Sequence, residues 1–125
     1  HGKMIRDFTY VDDIVESITR LIVKPPKRNN EWNGDKSRID ASSAPYRIYN
    51  IGNNNPVKLM DFITAIEKKI GKTVNKNFME IQPGDVPETY ADVTDLESFF
   101  NYKPNTSIDF GISKFIDWYK DYYKQ

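Results

Sequence analysis

Apolar positions recur at three- and four-residue spacing in three stretches of the chain, and these predict its main helices. The first begins at Val11, with Ile14, Val15, Ile18, Leu21 and Ile22 on one face, which is expected to be core. Asp12, Asp13 and Glu16 crowd its first turns and Arg20 and Lys24 its last, as the helix dipole favours, and Pro25-Pro26 stops the run. Leu59, Phe62, Ile63, Ile66 and Ile70 predict the second helix. Gly71 ends it where a left-handed residue costs least, although Lys58 stands where a capping Ser or Asp is expected. The third carries Ile108, Ile112, Phe115, Ile116, Tyr119 and Tyr122 or Tyr123 on and beside one stripe. Thr94-Asp95-Leu96-Glu97 matches a capping box that opens a short helix to Phe100, and Thr106-Ser107-Ile108-Asp109 repeats the device before the last helix.

Extended segments alternate with these helices. Met4 to Tyr10 predicts a short one with Arg6 and Asp7 at its centre. Tyr46 to Ile51 predicts a strand with alternating faces, ended by Gly52 and three consecutive asparagines, and Lys72 to Ile81 returns to strand-like residues. From residue 25 to residue 45 no period survives around a lone Trp32, so this stretch is a long loop or insertion, read as mobile or plain rather than as a lid. The order of helix, strand, helix, strand, helix, helix implies a small α/β layer with helices covering a short sheet, and one domain over residues 1–125.

One loop gathers more turn chemistry than any other. Ile81-Gln82-Pro83-Gly84-Asp85-Val86-Pro87-Glu88-Thr89-Tyr90-Ala91-Asp92 packs two prolines, a glycine and three acids between a predicted strand and a predicted helix. The prolines restrict the backbone and Gly84 permits a φ other residues resist, which leaves Asp85 as a polar group on a stiffened turn. An ordinary Pro-Gly-Asp turn accounts for this by itself; ligand holding is the alternative.

Composition narrows the function classes. At 125 residues the chain buries roughly two-thirds of the surface its unfolded form exposes, enough for one core. Lys+Arg and Asp+Glu are both 18, so no net field draws it to nucleic acid or to an anionic membrane. The absence of cysteine excludes disulfides and thiolate metal sites and fits a reducing, cytoplasmic setting, and no apolar run is long enough to span a bilayer. The first residue is His1 and no leader follows, as expected of a piece cut from a larger protein or of a processed start.

The single His1 is terminal, so neither a histidine triad nor a multi-histidine metal site can be built. Carboxylate pairs at Asp12/Asp13 and Asp92/Asp95 read as helix caps. No glycine fingerprint for a dinucleotide and no P-loop occurs, and no tyrosine is followed four residues later by lysine.

The segment Gly2-Lys3-Met4-Ile5-Arg6-Asp7-Phe8-Thr9-Tyr10-Val11-Asp12-Asp13-Ile14-Val15 resembles a recurrent stretch of extended short-chain dehydrogenases/reductases, among them the nucleotide-sugar epimerases. Three further blocks resemble the same family in the same order: Ser43-Ala44-Pro45-Tyr46-Arg47-Ile48-Tyr49-Asn50-Ile51-Gly52-Asn53, the loop from Gln82 to Asp92, and Tyr102-Lys103-Pro104-Asn105-Thr106-Ser107-Ile108. The combination is most similar to bacterial UDP-glucuronate 4-epimerases of the capsule-biosynthesis type. The resemblance implies a C-terminal substrate-binding domain without the preceding Rossmann half. In the family that half carries NAD and the catalytic tyrosine and lysine, which oxidise and re-reduce the sugar at C4. No catalytic residue and no NAD site is therefore expected here, and the chain alone is expected to be inactive. The expected partners are a UDP-sugar and the missing Rossmann domain, with self-association through the apolar surface exposed near Ile5, Phe8 and the loop.

The resemblance also assigns residues. Arg6 is the arginine that meets the diphosphate, a role its planar guanidinium suits, since a charged hydrogen bond contributes about 1.5 to 3 kcal/mol. Its bland alternative is a salt bridge. Asp85 matches the family acid near the ribose or uracil, and ribose hydroxyls are the sensible donors because a carboxylate repels phosphate. Gln82 stands where UDP-galactose epimerases have a second phosphate-binding arginine, which halves the cationic clamp. Phe8 and Tyr90 are candidates to pack beside the ligand, with core packing as the alternative. A UDP-galactose epimerase, a dehydratase or a decarboxylase acting on a nucleotide sugar would look much alike in this region. A stand-alone binding or interaction module and a plain structural domain are the readings outside that class.

Overall fold

A computed structural model describes residues 2–34 and 38–124; His1, Gln125 and part of the predicted long loop, residues 35–37, lie outside the described residues. The element order is β1 (Ile5–Arg6), α1 (Val11–Val23), β2 (Val57–Lys58), α2 (Leu59–Ile70), α3 (Thr94–Phe100) and α4 (Ile108–Tyr123). The two strands pair antiparallel, with Ile5 opposite Lys58 and Arg6 opposite Val57. This is a small α/β domain with its helices gathered around a minimal sheet.

The helix pair α2 and α4 makes the core. Ala65, Ile112 and Ile116 are buried, and Phe62, Ile66, Ile70 and Ile108 pack on them, which is the stripe the three- and four-residue periods predict. Lys69 on α2 reaches Asp117 on α4 at 2.7 Å across the edge of this contact. Gly71 caps α2 in the left-handed region at φ 77°, and its N–H bonds to the carbonyl of Glu67. A second buried set, Val93, Leu96 and Pro104, lies in and around α3.

Helix α1 spans the predicted residues but turns the other way. Its fully buried residues are Asp13 and Ser17, whereas Val15, Ile18 and Ile22 are 56%, 47% and 70% exposed. Most of the face expected to be core is therefore open, with only Ile14 and Leu21 half-buried. Hydrogen bonds hold the inward side instead: the Asp13 carboxylate accepts from the Tyr102 hydroxyl at 3.2 Å and from the Thr106 N–H at 3.1 Å. The reading of Asp13 as a cap is corrected by the same bonds. The Arg20 guanidinium lies over the Tyr102 ring, 4.5 Å from its centre, and closes the seam.

Two predicted strands do not form as ladders. Around Tyr46 to Ile51 there is one bridge, Ala41 to Arg47, and the Ile48 N–H bonds to the Asp40 carbonyl, so the segment pairs with the long loop rather than with the sheet. From Lys72 to Ile81 side chains replace backbone partners: the Glu67 carboxylate accepts from the Val74 N–H and the Lys76 ammonium. Both capping boxes shift by one step. Thr94 is already helical, and the Asp92 carboxylate accepts from its N–H and hydroxyl; at α4 the cap is Ser107, which accepts from Phe110 N–H. These bonds hold the Asp92 carboxyl below its usual range.

Candidate functional site

The loop from Gln82 to Ala91 runs beside β1. Ile5 N–H donates to the Pro87 carbonyl at 3.0 Å and Thr89 N–H to the Ile5 carbonyl at 3.1 Å, so the loop acts as a short third strand. Its tip is a four-residue turn: Asp85 N–H returns to the Gln82 carbonyl at 3.0 Å, with Pro83 and Gly84 between them and Gly84 at φ 89°. This geometry needs a glycine at that position.

The turn brings Asp85 to Arg6. One guanidinium nitrogen donates to Asp85 Oδ1 at 2.8 Å, and the other donates to the carbonyls of Ile5 and Pro87 at 2.9 and 3.2 Å. Asp85 Oδ1 also accepts from Val86 N–H at 2.8 Å. The pair is partly open to solvent, with side-chain exposures of 20% for Arg6 and 41% for Asp85. Gln82 and Tyr90 are exposed on the same loop. Phe8 is directed to the helix layer, where it stacks on Phe62 at 4.2 Å between ring centres. It lines an apolar groove of about 330 Å³ with Tyr10, Ile108 and Phe115, away from the charged pair.

Asp7 is the residue that sequence reasoning missed. Its carboxylate accepts N–H groups from Asn54 at 3.1 Å, Asn55 at 3.3 Å and Ala91 at 3.1 Å, while its own N–H donates to the Thr89 hydroxyl. It ties β1, the asparagine turn and the 82–91 loop together next to Arg6. A signal for it was present in Gly52 and the three asparagines, a turn that needs an acceptor for its amides. A Cβ at Gly52 would collide with the Ala91 side chain and stand 3.1 Å from Asp7 Oδ2.

A second charged cluster anchors the long loop. Arg38 pairs with Asp40 at 2.8 Å and with Asp95, and Arg47 reaches Asp40 at 3.0 Å and Asp95 at 3.2 Å. The Arg38 guanidinium holds the Asp40 carboxyl below its ordinary range. Asp95, read as a cap from its position, is instead the far post of this network. A cavity of about 480 Å³ opens beside it, lined in part by Asn50, Asp92 and Thr94. Among the described residues no cluster of three or more His, Asp or Glu could hold a metal ion, and no helix is long and apolar enough to cross a membrane.

No protein-family model matches the chain. It is 58% identical over 125 residues to protein CapI of Staphylococcus aureus and 41% identical to a probable UDP-glucuronate 4-epimerase of Rhizobium meliloti, covering 100% and 99% of this chain but 37% of each relative. Among solved structures it resembles the UDP-glucuronic acid 4-epimerase of Bacillus cereus in complex with UDP-glucuronic acid and NAD. That match has a TM-score of 0.74 and 27% identity, and covers 98% of this chain and 34% of the other. The fold is that of the C-terminal part of extended short-chain dehydrogenase/reductase epimerases, and the relatives of the chain, whose length it spans by about a third, are UDP-glucuronate 4-epimerases and CapI.

Proposed function

We propose that this chain is the nucleotide-sugar-binding part of a UDP-sugar 4-epimerase of the UDP-glucuronate type, serving capsular polysaccharide synthesis. The observation that carries the reading is the meeting of Arg6 and Asp85 on the rigid turn after Gln82, within a chain similar along its whole length to such enzymes. In this reading Arg6 turns its guanidinium from Asp85 to the diphosphate, and the released carboxylate accepts from the ribose hydroxyls. Pro87 and Ile5 carbonyls keep the guanidinium in the plane of the loop throughout. Gln82 offers an amide where a second cation would strengthen the clamp, and Tyr90 offers an exposed ring. Phe8 supports the site from below through Phe62 rather than by touching ligand.

NAD and the proton-transferring side chains belong to the rest of the enzyme, where NAD supplies oxidation and return of hydride at C4. The chain alone binds no NAD and has no epimerase activity. The open apolar face of α1 is the surface on which that remainder docks.

Calorimetric titration with UDP and with NAD, at two salt concentrations and on Arg6→Ala, tests this. Weak, salt-sensitive UDP binding that the substitution abolishes, without NAD binding, is expected. UDP binding that survives Arg6→Ala, or no UDP binding at all, overturns the assignment of the nucleotide to this pair.

A further inference from the structure

Arg6 and Asp7 grip the 82–91 loop at two successive points. Neighbouring residues of an extended segment point to opposite faces, so the two side chains reach different partners. Arg6 holds Asp85 and the Pro87 carbonyl. Asp7 holds the next stretch: its N–H donates to the Thr89 hydroxyl at 3.1 Å, and its Oδ2 accepts the Ala91 N–H at 3.1 Å. The same oxygen accepts the Asn54 N–H at 3.1 Å, and Oδ1 accepts the Asn55 N–H at 3.3 Å. Asn54 is left-handed at φ 52°, and such a residue in a turn brings successive N–H groups onto one acceptor. That turn leads into β2, whose Val57 stands opposite Arg6.

The Asp7 carboxylate therefore sets the strand bearing Arg6 against both of its neighbours, the turn before β2 and the loop bearing Asp85. Little slack surrounds it: a Cβ on Gly52 would stand 3.1 Å from Asp7 Oδ2 and collide with Ala91. A guanidinium that exchanges an internal carboxylate for a diphosphate needs a base that does not move with it. In a catalytic site a misplacement of about 1 Å costs about a hundredfold, and the same geometry governs a two-point phosphate contact. We propose that Asp7 is a positioning residue of the nucleotide site. Its carboxylate is occupied by three N–H groups, so it leaves the ligand to Arg6 and fixes where Arg6 stands, and the guanidinium swings from Asp85 to a nucleoside diphosphate on a stationary strand. The proposal rests on the assignment of Arg6 to the diphosphate.

Titration with UDP tests it on the parent chain, Asp7→Asn, Thr89→Val, Arg6→Ala and Ile116→Val, at a temperature where circular dichroism shows the variants folded. Asp7→Asn keeps the shape but turns an amide NH2 toward N–H groups that need an acceptor. It should weaken UDP binding about tenfold or more, with the parent's salt dependence retained because Arg6 is still present. Thr89→Val removes only the acceptor of the Asp7 N–H and should weaken binding less, and it decides alone if Asp7→Asn does not fold. Ile116→Val loosens the α2–α4 core and should bind as the parent does, which separates positioning from general stability. Parent-like binding by the Asp7 and Thr89 variants, with binding lost in Arg6→Ala, overturns the positioning role and leaves the Arg6 assignment standing. Equal weakening by Ile116→Val overturns it as well. UDP binding that survives Arg6→Ala, or is absent from the parent, removes the Arg6 assignment and this proposal with it.

Discussion

Arg6 and Asp85, 79 positions apart in sequence, form a 2.8 Å ion pair on a loop that carries two prolines and a glycine with positive φ. An ion pair this open contributes about 0 to 1 kcal/mol to stability, because solvent screens it and holding two side chains costs entropy. Asp85→Asn should therefore shift the melting temperature little. It should also free Arg6 for anions, so that inorganic phosphate or UDP binds with a steeper salt dependence than in the parent chain. A drop in stability above about 2 kcal/mol would show that the pair is a structural clip instead.

Asp7 should matter more to the fold than Asp85. Three backbone N–H groups converge on its carboxylate, and leaving one such group unpaired costs about 1 to 3 kcal/mol when it stays dry. The amides here are part-buried and some rehydrate, so Asp7→Ala should destabilise by about 2 to 4 kcal/mol in urea melts. Gly52→Ala should cost about 1 to 3 kcal/mol through the clash with Ala91, and Ala91→Gly in the same chain should recover most of it. Additive losses in the double variant would mean that the two positions do not touch in solution.

How far the sequence could be read depended on what each pattern encodes. Periodicity placed α1, α2 and α4 within a residue or two, because it is set by the helix itself. It named the shared face of α1 but not what lies against that face, since the inward side is decided by Tyr102 and Thr106, some ninety positions away. The strand expectations at Tyr46–Ile51 and Lys72–Ile81 failed for a related reason. Alternation marks a residue fit for a sheet, while a strand needs a partner, and here Asp40 and Glu67 take the bonds first. Arg6 and Asp85 were singled out by their motif context, and the ion pair between them is the salt-bridge alternative for Arg6. Asp7 left only the indirect signal of the asparagine turn whose N–H groups it accepts, and the Arg38–Arg47–Asp95 network left none, because long-range ion pairs follow no spacing.

Tyr102 should titrate late. Burial raises its pKa first, and the neighbouring Asp13 carboxylate adds to this, together pushing it from 10.0 to about 12. The neutral phenol is the form that donates to Asp13, so its contribution to stability is complete below pH 10 and disappears as pH rises through about 12. Ultraviolet difference titration of the parent chain and of Tyr102→Phe should differ by one late tyrosine, while Tyr49, which burial also raises, is common to both. That variant should also lose the part of the alkaline destabilisation lying between these two values. A titration in which Tyr102→Phe removes an ordinary early tyrosine would break the link to Asp13.

The exposed face of α1 gives the sharpest contrast between two readings of one periodic pattern. If Val15, Ile18 and Ile22 were core, truncating any of them would cost about 2 to 5 kcal/mol. They are about half exposed or more, so Ile18→Ser and Ile22→Ser should each change stability by less than about 1 kcal/mol. Ser17, fully buried with its hydroxyl donating to the Asp13 carbonyl at 2.7 Å, behaves oppositely. Ser17→Leu inserts volume where none is free and should destabilise by about 1 to 3 kcal/mol. Thermal melts of the three variants separate the cases. On the proposed docking of the remaining enzyme against α1, Ile18→Ser should become the costly substitution in the full-length protein. An Ile18→Ser that is costly already in this chain would show the face covered without it, and would remove α1 as the docking surface.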